Sequence, residues 1–146
     1  MKLNEKTKQS KVHDSFLDFV KHVWPEFIEG KHHKKIADKF NKLAQGKIKR
    51  LIINMPPRHT KSEFASFLLP SWMVGRKPDL KIIQTTHTTE LAIRFGRKAK
   101  TLIDSPEYQN IFGTKLREDS QAAGKWETEQ GGEYYAAGVG SAITGR

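Results

Sequence analysis

The sequence predicts an α/β fold, three layers deep with a mainly parallel sheet and preceded by N-terminal helices, on three observations. The apolar runs Leu51-Ile52-Ile53 and Ile82-Ile83 are short and contiguous, as in strands covered on both faces. Each is followed by a segment whose apolar residues recur at helical spacing, Phe64 to Trp72 and Leu91 to Leu102. Strand followed by helix followed by strand is the order that crossover connections give to parallel strands.

The elements follow in chain order. Beyond a charged tail, Val12, Phe16, Phe19, Val20 and Val23 share one helical face, and Pro25 marks the end of that helix. A second helix is expected over Lys31 to Ala44, with Ile36, Phe40 and Leu43 on one side and Gly46 as its stop signal. Residues 49–54 read as a buried strand, and residues 61–73 as a helix that Pro70 kinks or ends early. Residues 75–79 form a turn before a second strand at 80–85. Thr88 is placed to cap the helix carrying Leu91, Phe95, Ala99 and Leu102, and Ser105-Pro106-Glu107 opens a short helix that closes near Gly113. Residues 117–130 are polar around a lone Trp126, residues 131–138 resemble a glycine-bounded strand, and residues 138–146 are a glycine-rich loop. Trp126, Tyr134 and Tyr135 are expected in the core or at a strand edge.

A chain of 146 residues suffices for one domain with a core. It contains no apolar run near the roughly 20 residues that cross a bilayer, and residues 1–9 lack the apolar segment of a secretory signal. A soluble, intracellular protein is expected. Without cysteine there are no disulfides, thiolate zinc sites or thiol nucleophiles. The net charge of +10, from 26 Lys and Arg against 16 Asp and Glu, favours a polyanionic partner, although the basic residues are scattered and draw no single stripe.

The most informative stretch is Met55-Pro56-Pro57-Arg58-His59-Thr60-Lys61-Ser62, between the first strand and its helix. In the phosphate-binding pattern G-x-x-x-x-G-K-[ST], loop N–H groups wrap the phosphates, the lysine neutralises the outer ones and the hydroxyl ligates Mg²⁺. Lys61 and Ser62 match the last two positions, whereas Met55 and Thr60 stand where the glycines belong. A β-branched Thr60 in the left-handed conformation costs roughly 1 to 2 kcal/mol, so either the loop stores strain or its path differs. The plain alternative is a Pro-Pro turn with a surface Lys-Ser pair. Residues 55–62 and 85–88 both fall beyond carboxyl ends of expected strands, where α/β sheets hold ligands, so the two loops are candidates for one site.

Taken together, the segment Arg50 to Glu63, Pro70-Ser71-Trp72, Lys81 to His87 with Phe95-Gly96-Arg97, and Gly131-Gly132-Glu133-Tyr134 with Gly138 to Gly145 resemble the large subunit of tailed-phage terminases. The resemblance covers residues 32–146; that family usually reads Gly at Thr60 and at Ser141. It implies a RecA-like P-loop NTPase core, with residues 1–30 as a helical lead-in and residues 31–146 as a partial ATPase domain. The acidic catalytic strand and the nuclease domain of the family are missing from these residues, so weak nucleotide binding and poor turnover are expected. The implied cofactors are ATP and Mg²⁺. The implied partners are viral double-stranded DNA, a portal protein, a small terminase subunit and further copies in a ring, with the host cytoplasm as location and no membrane contact.

Residue by residue, the resemblance implies that Lys61 and Arg58 act on the transferring phosphoryl group. Pro57, Arg58, His59, Thr60, Lys61 and Ser62 would cradle the phosphates, with Ser62 as Mg²⁺ ligand. The alternatives are a solvated lysine and, for Arg58, a structural ion pair. Residues 24–33 are a candidate adenine-binding segment, although His32 and His33, among Lys31, Lys34 and Lys35, read as a solvated face. Thr86, His87, Arg94, Arg97 and Lys98 are candidates to face DNA, against a plain helix cap at Thr88 and a wet surface. Two other functions stay open: a helicase-like or kinase-like P-loop enzyme, and a basic DNA-binding module that never holds ATP.

Overall fold

A computed structural model describes residues 2–141. The N-terminal region is two helices, α1 (Lys2–Asp14) and α2 (Phe16–Val23), where the sequence suggests a charged tail and one helix. Ser15 divides them: its backbone is extended and its hydroxyl accepts from the Asp18 N–H, the geometry of an N-cap. The side chain of Asn41 accepts from the Phe16 N–H at 2.9 Å, satisfying another donor that the new helix leaves open. α3 spans Lys31–Ala44 as expected and stops at Gly46, which takes the left-handed conformation.

Phe16 sits at the centre of the helical core. Its ring lies 5.0 Å from Phe40, 5.3 Å from Phe64 and 5.5 Å from Trp72, each in an edge-on arrangement. Such pairs contribute about 0.5–1.5 kcal/mol each beyond the area they bury. Trp72 Nε1–H donates to the His13 carbonyl at 3.0 Å, closing the last turn of α1. The N-terminal helices therefore share a core with α3 and with the chain that follows the candidate loop.

Residues 49–54 correct the sequence reading: they form no part of the sheet. Leu51 and Ile53 pack against the core from one side, whereas Ile52 is 87% exposed. The apolar run is irregular chain whose alternate residues, Leu51 and Ile53, are covered. After the loop comes a π-helix, Glu63–Leu68, and then α4, Leu69–Arg76. The Leu69 N–H reaches the Phe64 carbonyl five residues back. This wider register lets Pro70, which has no N–H, enter the helix without breaking it, and the Ser71 hydroxyl donates to the Phe67 carbonyl at 2.8 Å.

The sheet has four strands in the order β1 (Lys81–Thr86), β4 (Glu133–Gly138), β3 (Lys125–Thr128) and β2 (Leu116–Ala122). β1 pairs with β4 in parallel, and β4 with β3 and β3 with β2 are antiparallel. The expectation of a mainly parallel sheet thus holds on the β1–β4 side and is corrected on the other, where the polar residues 117–130 contribute two strands of a meander. Helix α5 (Thr89–Ile103), capped by Thr88 as expected, lies across β4 and β1. Its backbone approaches closely: a Cβ on Gly96 would fall 2.3 Å from the Ala123 carbonyl oxygen, so only glycine fits. Trp126 stacks on Tyr134 at 4.8 Å and donates to the Gly96 carbonyl at 3.2 Å. Helix α6 (Pro106–Gln109) follows, with Ser105 as its cap.

On the opposite face of β1, Lys81, Ile83 and Thr85 are exposed, and among the described residues no helix covers them. The three-layer expectation is corrected accordingly: among the described residues α5 packs on the sheet, α4 packs on α5, and α1 and α2 pack on α4 with α3 against α2. Among the described residues no helix is long and apolar enough to cross a membrane.

Candidate phosphate-binding site

Residues 55–62 form a bent loop between that irregular chain and the π-helix. Arg58 and Thr60 both hold positive φ, 65° and 60°, and they are the non-glycine residues that do so among those described. Thr60 therefore takes the left-handed conformation that the glycine pattern reserves for its position, and the loop stores the strain. Where left-handed and right-handed residues alternate in a turn, successive N–H groups gather on one side, as in an anion-binding nest.

The strained residue is held by a chain of hydrogen bonds. The Gly30 N–H donates to His33 Nδ1 at 2.8 Å, His33 Nε2 lies 2.7 Å from Thr60 Oγ1, and the Thr60 hydroxyl donates to the His59 carbonyl at 2.6 Å. His33 is 5% exposed, its ring 4.7 Å from Phe27 and 5.0 Å from Phe64. This corrects the reading of His33 as part of a solvated face. Burial holds its imidazole below the ordinary value, helped by neighbouring His32 and His59 and opposed by Glu29. Its place at the third residue of α3 and its acceptance from the cap N–H make it half of a capping box. A His three residues after Gly30 is the sequence signal that carried this role.

Lys61 is exposed, and its ammonium folds back toward the Met55 carbonyl at 3.5 Å, across the mouth of the loop. Ser62 is exposed at the entry to the π-helix and makes no capping bond with its side chain. Arg58 is exposed and, among the described residues, makes no ion pair, so the structural-pair alternative has no partner there. The exposed His59 donates from Nδ1 to the Pro57 carbonyl at 2.9 Å, which braces the turn. Pro57 is exposed as well. No group of three or more His, Asp or Glu placed to hold a metal occurs among the described residues.

The second loop cluster lies at the ends of β1 and β4. Thr86 donates from its hydroxyl to the Thr88 carbonyl at 2.6 Å, and Val139 N–H donates to the Thr86 carbonyl at 2.9 Å. The Gly138 N–H is shared between Thr89 Oγ1 and Ser141 Oγ at 3.2 Å each. A Cβ on Gly138 would fall 2.4 Å from the Thr89 nitrogen, which explains the glycine. Sequence reasoning missed the Thr89 and Ser141 pair. The remaining part of the glycine-rich loop, residues 142–146, lies outside the described residues. The bonds of this cluster stay within it, and those of the candidate phosphate loop stay in the loop or run to α3 and the π-helix, so none of these hydrogen bonds joins the two loops.

Of the residues considered for DNA, His87, Arg94 and Arg97 are exposed. Arg94 and Arg97 line a surface groove with Thr88, Glu90 and Ile93. Lys98 is committed elsewhere, to the Glu63 carboxylate. In the candidate adenine segment, Trp24 packs against Phe27, and Glu29 pairs with Lys21 and Lys34. Compared with protein-family models, curated proteins and solved structures, the chain matches none.

Proposed function

We propose that residues 55–62 bind the triphosphate of ATP. On this reading the chain is the N-terminal ATPase portion of a phage DNA-packaging terminase large subunit, working on viral double-stranded DNA in the host cytoplasm with portal and small-subunit partners. The observation that carries the reading is the left-handed backbone at Arg58 and Thr60, immediately before a Lys-Ser pair at the start of a helix. Strain of this kind persists only where surrounding structure enforces it, and it clusters at ligand-binding turns.

The residues present fit a triphosphate with Mg²⁺. The Lys61 ammonium has only a long contact with a carbonyl to give up, and the Ser62 hydroxyl is not engaged in capping. Arg58 offers a free planar guanidinium, suited to bidentate contact with phosphoryl oxygens. Mg²⁺, when bound, would neutralise charge between the outer phosphates. The chain's own residues would contribute position and charge: loop amides and Lys61 would hold the phosphates, the Ser62 hydroxyl would serve as a ligand for the ion, and Arg58 would meet the group that is transferred. The exposed Arg94 and Arg97 would meet the DNA backbone.

Binding of a fluorescent ATP analogue with Mg²⁺, compared between the natural chain and Lys61→Ala, tests the proposal. Loss of affinity by tenfold or more, about 1.4 kcal/mol, is expected. Unchanged affinity would reject the phosphate loop and leave a basic nucleic-acid-binding module.

A further inference from the structure

The proposed phosphate loop lacks the glycine that makes its left-handed residue inexpensive, and His33 stands directly behind that residue. The Gly30 N–H occupies Nδ1, so the imidazole proton resides on Nε2, which therefore donates to Thr60 Oγ1. The Thr60 hydroxyl in turn donates its own hydrogen bond to the His59 carbonyl. Donor, relay and acceptor thus run one way, from the N-terminus of α3 into the turn. The ring cannot move aside, because Phe27 and Phe64 pack on it and Phe64 belongs to the buried aromatic core.

We propose that His33 is a positioning residue for the phosphate loop: by bonding the Thr60 side chain it holds the main chain at positive φ and keeps the loop N–H groups turned toward the phosphates. The inference rests on the phosphate-binding reading above. It assigns the role of the missing glycine to a side chain from a different element, 27 positions earlier in the chain. His33 touches no phosphate; it acts through Thr60.

The test is a double-mutant cycle. His33→Phe keeps an aromatic ring between Phe27 and Phe64 and removes both nitrogens. Thr60→Gly removes the hydroxyl and makes positive φ free of steric cost. The left-handed penalty corresponds to a five- to thirtyfold effect on an equilibrium. Accordingly, His33→Phe is expected to weaken binding of the ATP analogue with Mg²⁺ about tenfold, and His33→Phe in the Thr60→Gly background to change it less than about twofold. His33→Gln, which restores a donor near the Nε2 position, should recover part of the loss. Equal losses in both backgrounds would mean that His33 only supports packing, and no loss in either would mean that it positions nothing; both results overturn the proposal.

A nucleotide-free measurement separates failure of this inference from failure of the ATP reading. Nitrogen-15 NMR of the His33 ring should show the Nε2–H form near neutral pH, and scalar couplings of Thr60 should report positive φ that His33→Phe abolishes. If the natural chain binds no nucleotide but these signals appear as described, the latch stands and the ATP reading falls. A protonated Nδ1, or a Thr60 that keeps its φ without His33, overturns the latch.

Discussion

Lys98 on α5 reaches the Glu63 carboxylate at the start of the π-helix, and its ammonium lies 4.7 Å from the centre of the Phe67 ring. The contact joins the helix that follows the candidate loop to the helix that follows β1. Both charged groups are more than a third exposed, so water screens the pair. Lys98→Ala should lower unfolding free energy by no more than about 1 kcal/mol in urea denaturation. A much larger loss would show that the pair organises the π-helix beyond its charge.

The same contact removes Lys98 from the residues free to meet DNA. Arg94 and Arg97 are exposed and, among the described residues, make no ion pairs. A double Arg94→Ala, Arg97→Ala variant should weaken binding to duplex DNA and lower the slope of log affinity against log salt by about 2, whereas Lys98→Ala leaves that slope unchanged. Equal slopes for the natural chain and the double variant would place the DNA contact elsewhere.

Two buried phenols separate the value of a hydrogen bond from that of a ring. Tyr108 donates from its hydroxyl to the Ser71 carbonyl at 2.6 Å, whereas the Tyr134 hydroxyl is buried with no partner. Burial pushes both phenols far above their usual range, so both stay neutral. Tyr108→Phe removes a buried hydrogen bond to a helix carbonyl and should cost about 1 kcal/mol. Tyr134→Phe keeps the stack on Trp126 and should be neutral or slightly stabilising. Equilibrium denaturation of the two variants side by side gives the comparison, and the reverse order would contradict the assignment.

The depressed His33 value sets a direction for acid sensitivity. Below its ordinary 6.5 the unfolded chain takes up a proton that the folded chain refuses, because burial and nearby His32 and His59 disfavour it against the pull of Glu29. That contribution is complete above 6.5 and is lost as pH falls toward the folded value. Thermal stability of the natural chain should therefore decline from pH 7 to pH 5 more steeply than that of His33→Phe. Parallel curves would show that His33 titrates alike folded and unfolded. The lowered carboxylates Glu29 and Asp38 act in a more acidic range.

Much of this architecture is legible in the residues, and the gaps have physical causes. α3, its Gly46 stop, the Thr88 cap and β1 follow from helical spacing, left-handed glycine, side-chain capping and a short apolar run. The break at Ser15 is hidden because Val12, Phe16 and Phe19 keep helical spacing across it. Ile52 misleads because contiguous apolar residues read alike whether one face or two are covered. β2 is polar, with Leu116 buried near one end, and is held by main-chain pairing and by Arg117 bonding Glu127 across to β3 at 3.0 Å. The loop residues Lys61 and Ser62 are visible as a motif. His33 is not, because its role depends on a partner 27 residues away and its lysine neighbours suggest solvent.

ATP binding in the proposed form requires the loop at Thr60 to fold its amides around phosphate. Titrating the nitrogen-15-labelled chain with Mg²⁺ and ATP while following amide shifts tests it most directly. Saturable shifts concentrated at residues 58–62 and weakened by Lys61→Ala are the expected result. Shifts confined to basic residues far from that loop, or none at millimolar nucleotide, would rule out phosphate binding there.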